Sequence, residues 1–245
     1  MKILYDHQMF LLQKYGGISK YYCELIKNLP QGIEYQLSVL LSNNSYLHED
    51  AEIFKKRNIF IPNRQFKGKR FIKRSLNSIN QFYSNLNLSA NNFDLFHPTF
   101  YNPYFLSRLT KPYVITVHDL IAFNDTSYAH DPIRTEMEKV IQNATRIISI
   151  SKNTKKDLVE ILNIDPEKID VVYHGYNQSI ITGKRNIYGQ YILFVGRREG
   201  YKNFKTFAKA ISRLLIKERS LQLICVGEPF DREDILLLKG LKIFR

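Results

Sequence analysis

Residues 192–203 read ILFVGRREGYKN, an apolar run that stops at Gly196 and is followed by Arg197, Arg198, Glu199 and Lys202. A glycine, an arginine and a lysine at the carboxyl end of a strand suit an anion. The planar guanidinium can hold two phosphate oxygens at once, and the lysine adds a mobile point charge. The plainer alternative is that Arg198, Glu199 and Lys202 form exposed surface pairs worth less than about 1 kcal/mol each. The segment VGE at 226–228 ends the next apolar run in the same way and sets Glu228 on the same rim. Near the N-terminus, GGIS presents Gly16 and Gly17 at the opening of a helical pattern. Paired glycines let a ligand approach the backbone, and a helix N-terminus offers unpaired N–H groups to an anion; a tight turn into the helix explains the pair equally well. Two further runs end in histidines, TVHD with His118 and Asp119, and VYHG with His174. His174 precedes a polar connector and is expected to face a cleft between two units. A structural histidine, or an aspartate capping the next helix, is the alternative for TVHD. No metal ligand is expected, because His97 and His118 have no cysteine or glutamate-rich partner at ligand spacing.

These residues have to be delivered by regular elements. Short apolar runs (KILYD, YQLSVLL, NIFIP, FDLFHP, YVITVHD, RIISIS, KIDVVYHG) alternate with helical patterns such as GGISKYYCELIKNL, a segment near 68–88 and SKNTKKDLVEIL. Strand followed by helix, repeated, predicts a parallel α/β sheet covered on both faces, with ligands beyond the carboxyl ends of the strands. Ser151 or Asn153 is expected to cap the helix in SKNTKKDLVEIL. After the aperiodic stretch 175–190 a second series begins: strand YILFVG, helix 202–217, strand LQLICVG, helix DREDILLLKG, and a last strand starting in LKIFR. The expected domains are therefore 1–184 and 185–245.

With 44% hydrophobic residues in 245, the chain can bury a core. Two cysteines far apart argue against a disulfide framework, and no apolar run approaches the roughly 20 residues needed to span a bilayer. A cytoplasmic location is expected. The formal net charge is +13, and residues 53–92 hold nine Lys or Arg and no acid. Within that block Phe71, Ile72, Leu76, Ile79, Phe82, Tyr83 and Leu86 recur at helical spacing, close to Lys67, Lys69, Arg70, Lys73 and Arg74. Ordinary core packing with solvated cations is one reading of this stripe. Attraction to an anionic membrane is the other.

Taken in order, GGISKYYCELIKNL, FDLFHPTFYNP, YVITVHDL, RIISISKNTKKDLVEILNIDPEKIDVVYHGYN and YILFVGRREGYKNFKTFAKAI resemble the retaining, nucleotide-sugar-dependent glycosyltransferases of family four. The resemblance implies a GT-B-like architecture, with a Rossmann-like N-terminal domain on the acceptor side and a Rossmann-like C-terminal domain that binds the donor. It implies no cofactor, the nucleotide sugar being a substrate, and no required metal. It also implies Gly16 and Gly17 near the donor phosphates, His118 beside the donor sugar, and Arg197 and Lys202 on the pyrophosphate; Gly196, Glu228 and His174, from their places after strands, are expected on the donor side. The expected reaction is same-face sugar transfer without a carboxylate nucleophile, to a saccharide or lipid-linked acceptor, in surface polysaccharide biosynthesis. An anionic membrane surface is a further expected partner, with the chain peripheral on the inner face of the membrane. The family's paired-glutamate motif lies beyond the last residue here, so an incomplete C-terminal domain is expected. Two other functions stay open: an inactive truncated fragment, and a basic nucleic-acid-binding protein. Against the latter, residues 53–92 carry no readout motif and their aromatics follow helical spacing.

Overall fold

The computed structural model describes residues 1–49, 57–58, 67–176 and 189–244. The chain divides into two compact units, Met1–Tyr176 and Asn177–Arg245, each described by itself. The boundary expected at 184/185 lies outside the described residues, as does most of the expected strand NIFIP.

The first unit contains β1 (Lys2–Tyr5), α1 (Gln8–Leu12), α2 (Gly17–Lys27), β2 (Glu34–Leu37), β3 (Leu41–Ser42), α3 (Ser45–Glu49) and β4 (Arg57–Asn58). It continues with α4 (Lys69–Ala90), β5 (Leu95–His97), β6 (Val114–Val117), α5 (Ile121–Asn124), α6 (Pro132–Gln142), β7 (Arg146–Ser149), α7 (Lys152–Leu162) and β8 (Ile169–Val171). Strands run β2-β1-β5 in one parallel sheet and β6-β7-β8 in another. A parallel bridge between Phe96 and Tyr113 joins β5 to the start of β6, while β3 and β4 form a separate parallel pair. Ile3, Leu4 and Tyr5 are all buried, as a strand covered on both faces requires. Because side chains alternate along a strand, Ile3 and Tyr5 enter a cluster with Tyr22, Cys23, Ile26 and Leu37, whereas Leu4 enters another with Phe96, Ile115, Val117, Ile147 and Leu158. Period two in β1 thus produces two apolar layers, one on each side of the sheet. Helix α2 feeds the first layer through Tyr22, Cys23 and Ile26, and α7 feeds the second through Leu158 and Leu162. Ser151 caps α7 by accepting from the Thr154 N–H at 3.0 Å.

Helix α4 does not follow the core-packing reading of its apolar stripe. Of the seven apolar residues expected on one face, only Leu76 is fully buried, and the buried ridge is Leu76, Asn80, Ser84 and Leu88. The reason lies in the chain beyond β2. Asn80 Oδ1 accepts from the Leu40 N–H at 2.7 Å and the Leu41 N–H at 3.2 Å, and its Nδ2 donates to the Leu41 carbonyl at 3.0 Å. Ser84 donates to the Ser38 carbonyl, and Asn87 Nδ2 donates to Ser38 Oγ. Part-buried backbone groups between the end of β2 and the start of β3, and the buried Ser38 carbonyl, take side-chain partners here, and that need outweighs hydrophobic period in orienting the helix.

The second unit contains β9 (Tyr191–Val195), α8 (Phe204–Lys217), β10 (Gln222–Val226) and α9 (Arg232–Gly240). β9 and β10 pair in parallel over five residues, Tyr191 with Gln222 through Val195 with Val226. One sheet face is covered by Phe204, Ala208 and Leu238 packed with Phe194 and Leu223. On the other, Tyr191, Leu193, Val195 and Val226 are exposed. Helix α8 begins two residues later than expected, because Asn203 adopts a left-handed conformation (φ 53°) and leaves Gly200–Lys202 as a separate 3₁₀ turn. No strand forms at 241–244. Lys242 is left-handed (φ 58°) and the Ile243 N–H turns back to the Leu238 carbonyl, so the segment closes α9 instead of extending a sheet.

Backbone hydrogen bonds open more readily where few apolar contacts cover them. Amide hydrogen exchange in β9 and β10 is therefore expected to be at least about tenfold faster than in β6 and β7, whose side chains are mostly buried. Equal protection of both pairs in the monomer would contradict this.

Candidate active site

The residues of the first unit converge on the ring of Tyr21. Helix α2 opens at Gly16 and Gly17, and Tyr21 follows one turn later on the same face as Gly17. Its ring packs edge-on against His118 at 5.2 Å, after β6, and against His174 at 5.0 Å, after β8. The two imidazoles stack on each other at 5.5 Å. The Tyr21 hydroxyl and His97 Nε2 lie 3.2 and 3.0 Å from Thr116 Oγ1, so β5, β6 and α2 are tied together directly beneath the histidines. His118 Nε2 is buried and has no hydrogen-bond partner. Burial, with the neighbouring His174, lowers the His118 pKa to about 4, and burial with His118 lowers that of His97 to about 3. Near neutral pH His118 is consequently an uncharged ring carrying an unused polar atom, suited to a hydroxyl and not to an anion. Asp119 takes the plainer role open to it, accepting from the Ile121 N–H at the start of α5.

The two glycines differ. A Cβ on Gly16 would overlap the Gln13 carboxamide, which accepts from the Ser19 N–H in the first turn of α2. A Cβ on Gly17 would meet open space. Gly16 is therefore accounted for by local packing, and Gly17 leaves the helix N-terminus approachable.

In the second unit the turns after β9 and β10 are built against each other. Gly196 has φ 123° and donates its N–H to the Val226 carbonyl at 2.9 Å, and a Cβ on Gly227 would lie 2.6 Å from the Gly196 carbonyl oxygen. Only glycine allows that approach. A Cβ on Gly196 would stand 3.9 Å from Lys202 Cε, so the 3₁₀ turn lays the Lys202 stem over Gly196, with its ammonium 5.0 Å from the Tyr201 ring centre. Arg197 and Glu228 are exposed on the same turns.

Arg198 is not the surface residue that the plainer reading supposed. It is 9% exposed, its Nε donates to Asp234 Oδ2 at 2.7 Å, and its Nη2 donates to the Glu228 and Pro229 carbonyls, each at 2.7 Å. The guanidinium also covers the Phe230 ring. Of two adjacent arginines, the second pins both turns and the first is left to solvent. Arg198, Gly227, Tyr21 and Thr116 were the positions that sequence reasoning passed over. The acidic segment DRED at 231–234, which also starts α9 with a capping box on Asp231, was the available signal for a partner to Arg198. Among the described residues no group of three or more His, Cys, Asp or Glu side chains is arranged to hold a metal ion.

The structure thus gathers Gly17, His118 and His174 around Tyr21 in one unit, and Gly196, Arg197, Lys202 and Glu228 on adjoining turns in the other. The sequence profile of Glycosyltransferase Family 4 matches residues 15–179, a span containing the entire first cluster. The chain belongs to glycosyltransferase family 4. Over 103 residues it is 28% identical to the O-antigen chain mannosyltransferase RfbU of Salmonella typhimurium, a match covering 41% of this chain and 29% of that protein. Anabaena HepE, solved with UDP and glucose, is similar with a TM-score of 0.59 at 14% identity, over 98% of this chain and 64% of HepE. The Neisseria meningitidis UDP-GlcNAc 2-epimerase bound to UDP-GlcNAc has a TM-score of 0.58 at 13% identity, over 98% of this chain and 69% of that one. The architecture is accordingly GT-B-like, with Rossmann-like α/β units, and it is shared by transferases and epimerases. This family 4 chain spans well under two thirds of RfbU and just under two thirds of HepE.

Removing one partner of a buried ion pair strands the other. Asp234→Asn and Arg198→Ala are each expected to cost about 3 kcal/mol in chemical denaturation of the second unit, against under about 0.5 kcal/mol for Arg197→Ala. Near-equal losses for the two arginine variants would contradict the assignment. The depressed histidines add a pH dependence. A folded-state pKa below the unfolded value means that the unfolded chain binds more protons, so stability is full above about pH 6.5 and is lost as pH falls through about 4 for His118 and about 3 for His97. His118→Gln should make thermal stability fall less steeply between pH 6.5 and 4, by about 3 kcal/mol over that range, the His97 contribution remaining.

Proposed function

We propose that this family 4 chain moves a sugar from a nucleotide-sugar donor to a saccharide or lipid-linked acceptor, with retention of anomeric configuration, in surface polysaccharide biosynthesis. The observation that carries the reading is His118: a neutral imidazole with a buried, unpartnered Nε2, inside the family match and packed on Tyr21, which stands one helical turn from the open backbone at Gly17. Its chemistry fits a sugar hydroxyl, which can either donate to or accept from a neutral imidazole. In the second unit Arg197 and Lys202 meet the diphosphate. Breaking the bond between the anomeric carbon and the phosphate oxygen leaves an added negative charge on that oxygen, and cations already in place stabilise it more in the transition state than before. The acceptor oxygen forms the new bond on the same face of the sugar, and its proton passes to the departing phosphate oxygen. No protein carboxylate is required as nucleophile, and the two cationic side chains do the work that a metal ion could otherwise do. RfbU, named as a mannosyltransferase of the O-antigen chain, and HepE, solved with UDP and glucose, support the substrate class.

The test is transfer from a panel of UDP- and GDP-sugars, read by proton NMR of the product anomer. Arg197→Ala and Lys202→Ala should each lower kcat by roughly 10²–10³ with acceptor KM unchanged. Gly17→Leu should lower kcat/KM for the donor while leaving the melting temperature within a few degrees, because a side chain there enters open space. An inverted product, wild-type turnover in the Arg197 and Lys202 variants, or isomerisation of the donor without an acceptor would overturn the proposal.

A further inference from the structure

The His118 side chain turns about two torsions, and its Nε2 has no hydrogen bond to fix it. Packing of the ring has to do so instead. Two aromatic rings lie against it: His174, stacked at 5.5 Å and 25°, and Tyr21, edge-on at 5.2 Å and 86°. His174 is exposed, in a segment past the end of β8 with no regular structure of its own. Tyr21 belongs to the second turn of α2, and the burden of holding His118 falls on it.

Tyr21 is itself firmly braced. Its neighbour Tyr22 is fully buried, meets the Tyr21 ring edge-on at 5.0 Å and donates its hydroxyl to the Pro98 carbonyl at 3.1 Å. The Tyr21 hydroxyl lies 3.2 Å from Thr116 Oγ1, which lies 3.0 Å from His97 Nε2. Thr116 and His97 are both buried. A threonine hydroxyl has one proton, so Thr116 donates to one of these partners and accepts from the other. Burial raises the Tyr21 pKa and lowers that of His97, so near neutral pH the chain of three groups carries no charge. Thr116 stands in β6, two residues before His118. The ring that packs on His118 is thus tied to the strand that delivers His118, and the imidazole and its support move together.

We propose that Tyr21 is a positioning residue for sugar transfer: its ring holds the His118 imidazole with Nε2 free for a substrate hydroxyl, and its hydroxyl, through Thr116 and His97, holds the ring. The inference rests on the role proposed above for His118. Its first test needs no substrate. In the full chain, NMR titration of His118 should show a midpoint near 4 that rises by at least about one pH unit in Tyr21→Ala, where water reaches the imidazole, and stays in place in Tyr21→Phe. The other ionisable groups around His118 are His97 of β5, Tyr101 in the loop after it, His174 after β8 and the adjoining Asp119, and both variants retain them. The second test is transfer. Tyr21→Ala should lower kcat by about 10–100-fold, as loss of an orienting partner does elsewhere, but by no more than about twofold in a His118→Ala background, because it acts through that ring. Thr116→Val has nearly the same shape and frees the ring without removing it, so it should lower kcat about three- to tenfold with acceptor KM unchanged, and it decides the matter if Tyr21→Ala does not fold. An unmoved His118 midpoint in Tyr21→Ala, a full further loss in the His118→Ala background, or wild-type turnover in Thr116→Val would overturn the positioning role. A wild-type chain that transfers no sugar would overturn the proposed function, while the titration would still decide whether Tyr21 holds the His118 ring.

Discussion

Backbone N–H and C=O groups withdrawn from water have to find partners, and in the first unit this requirement falls hardest where β2 ends. The N–H groups of Leu40 and Leu41 and the carbonyls of Ser38 and Leu41 have side-chain partners on α4: Asn80 for Leu40 and Leu41, Ser84 for Ser38. Ser84 also bonds the buried His7, and Asn87 reaches both Ser38 and Gln36, so one helix joins the loop after β1 to β2 and β3. A leucine ridge would leave the buried Ser38 carbonyl without its Ser84 partner, at roughly 1–3 kcal/mol. Once the polar side faces inward, the apolar side of the same helix has to face out.

The same accounting governs the turns of the second unit. The Glu228 and Pro229 carbonyls are held by Arg198, whose charge is balanced by Asp234. With that arrangement fixed, Gly196 and Gly227 can bring their backbones together, and Lys202 is laid across the result. A buried structural cation thereby positions neighbours whose own charges remain available to a ligand. In the first unit the tie is aromatic: Tyr21 packs edge-on against both stacked imidazoles, His118 and His174, and the same burial that secures the rings keeps His118 uncharged. Packing and chemistry are in this respect one event, because a protonated His118 would repel His174 and lack solvent.

Much of the architecture was legible in the order of residues. Alternating apolar runs and helical periods marked the parallel α/β class, continuous runs such as KILY and RIIS marked strands covered on both faces, and Ser151 or Asn153, of which Ser151 is the cap, marked the start of α7. These are local properties: side-chain period and capping chemistry act over a few residues, and no distant partner is needed to express them. The ordered motifs also identified the family, which the match over 15–179 bears out.

What the sequence could not determine was which way an element turns when two demands compete. Periodicity left Phe71, Ile79 and Phe82 open between the core and the surface, and nothing local announced that Ser38, Leu40 and Leu41 would take Asn80 and Ser84 as partners. The adjacent Arg197 and Arg198 are chemically identical, and only Asp234, brought in 36 residues later by α9, decides which is buried. Lys202 falls outside α8 because Asn203 turns left-handed, and LKIF closes a helix instead of opening a strand. In each case local preference is a matter of tenths of a kcal/mol per residue, whereas an unpaired buried amide or charge costs several times that. The stronger demand comes from contacts between residues far apart in the chain, and those contacts exist only once the chain has folded.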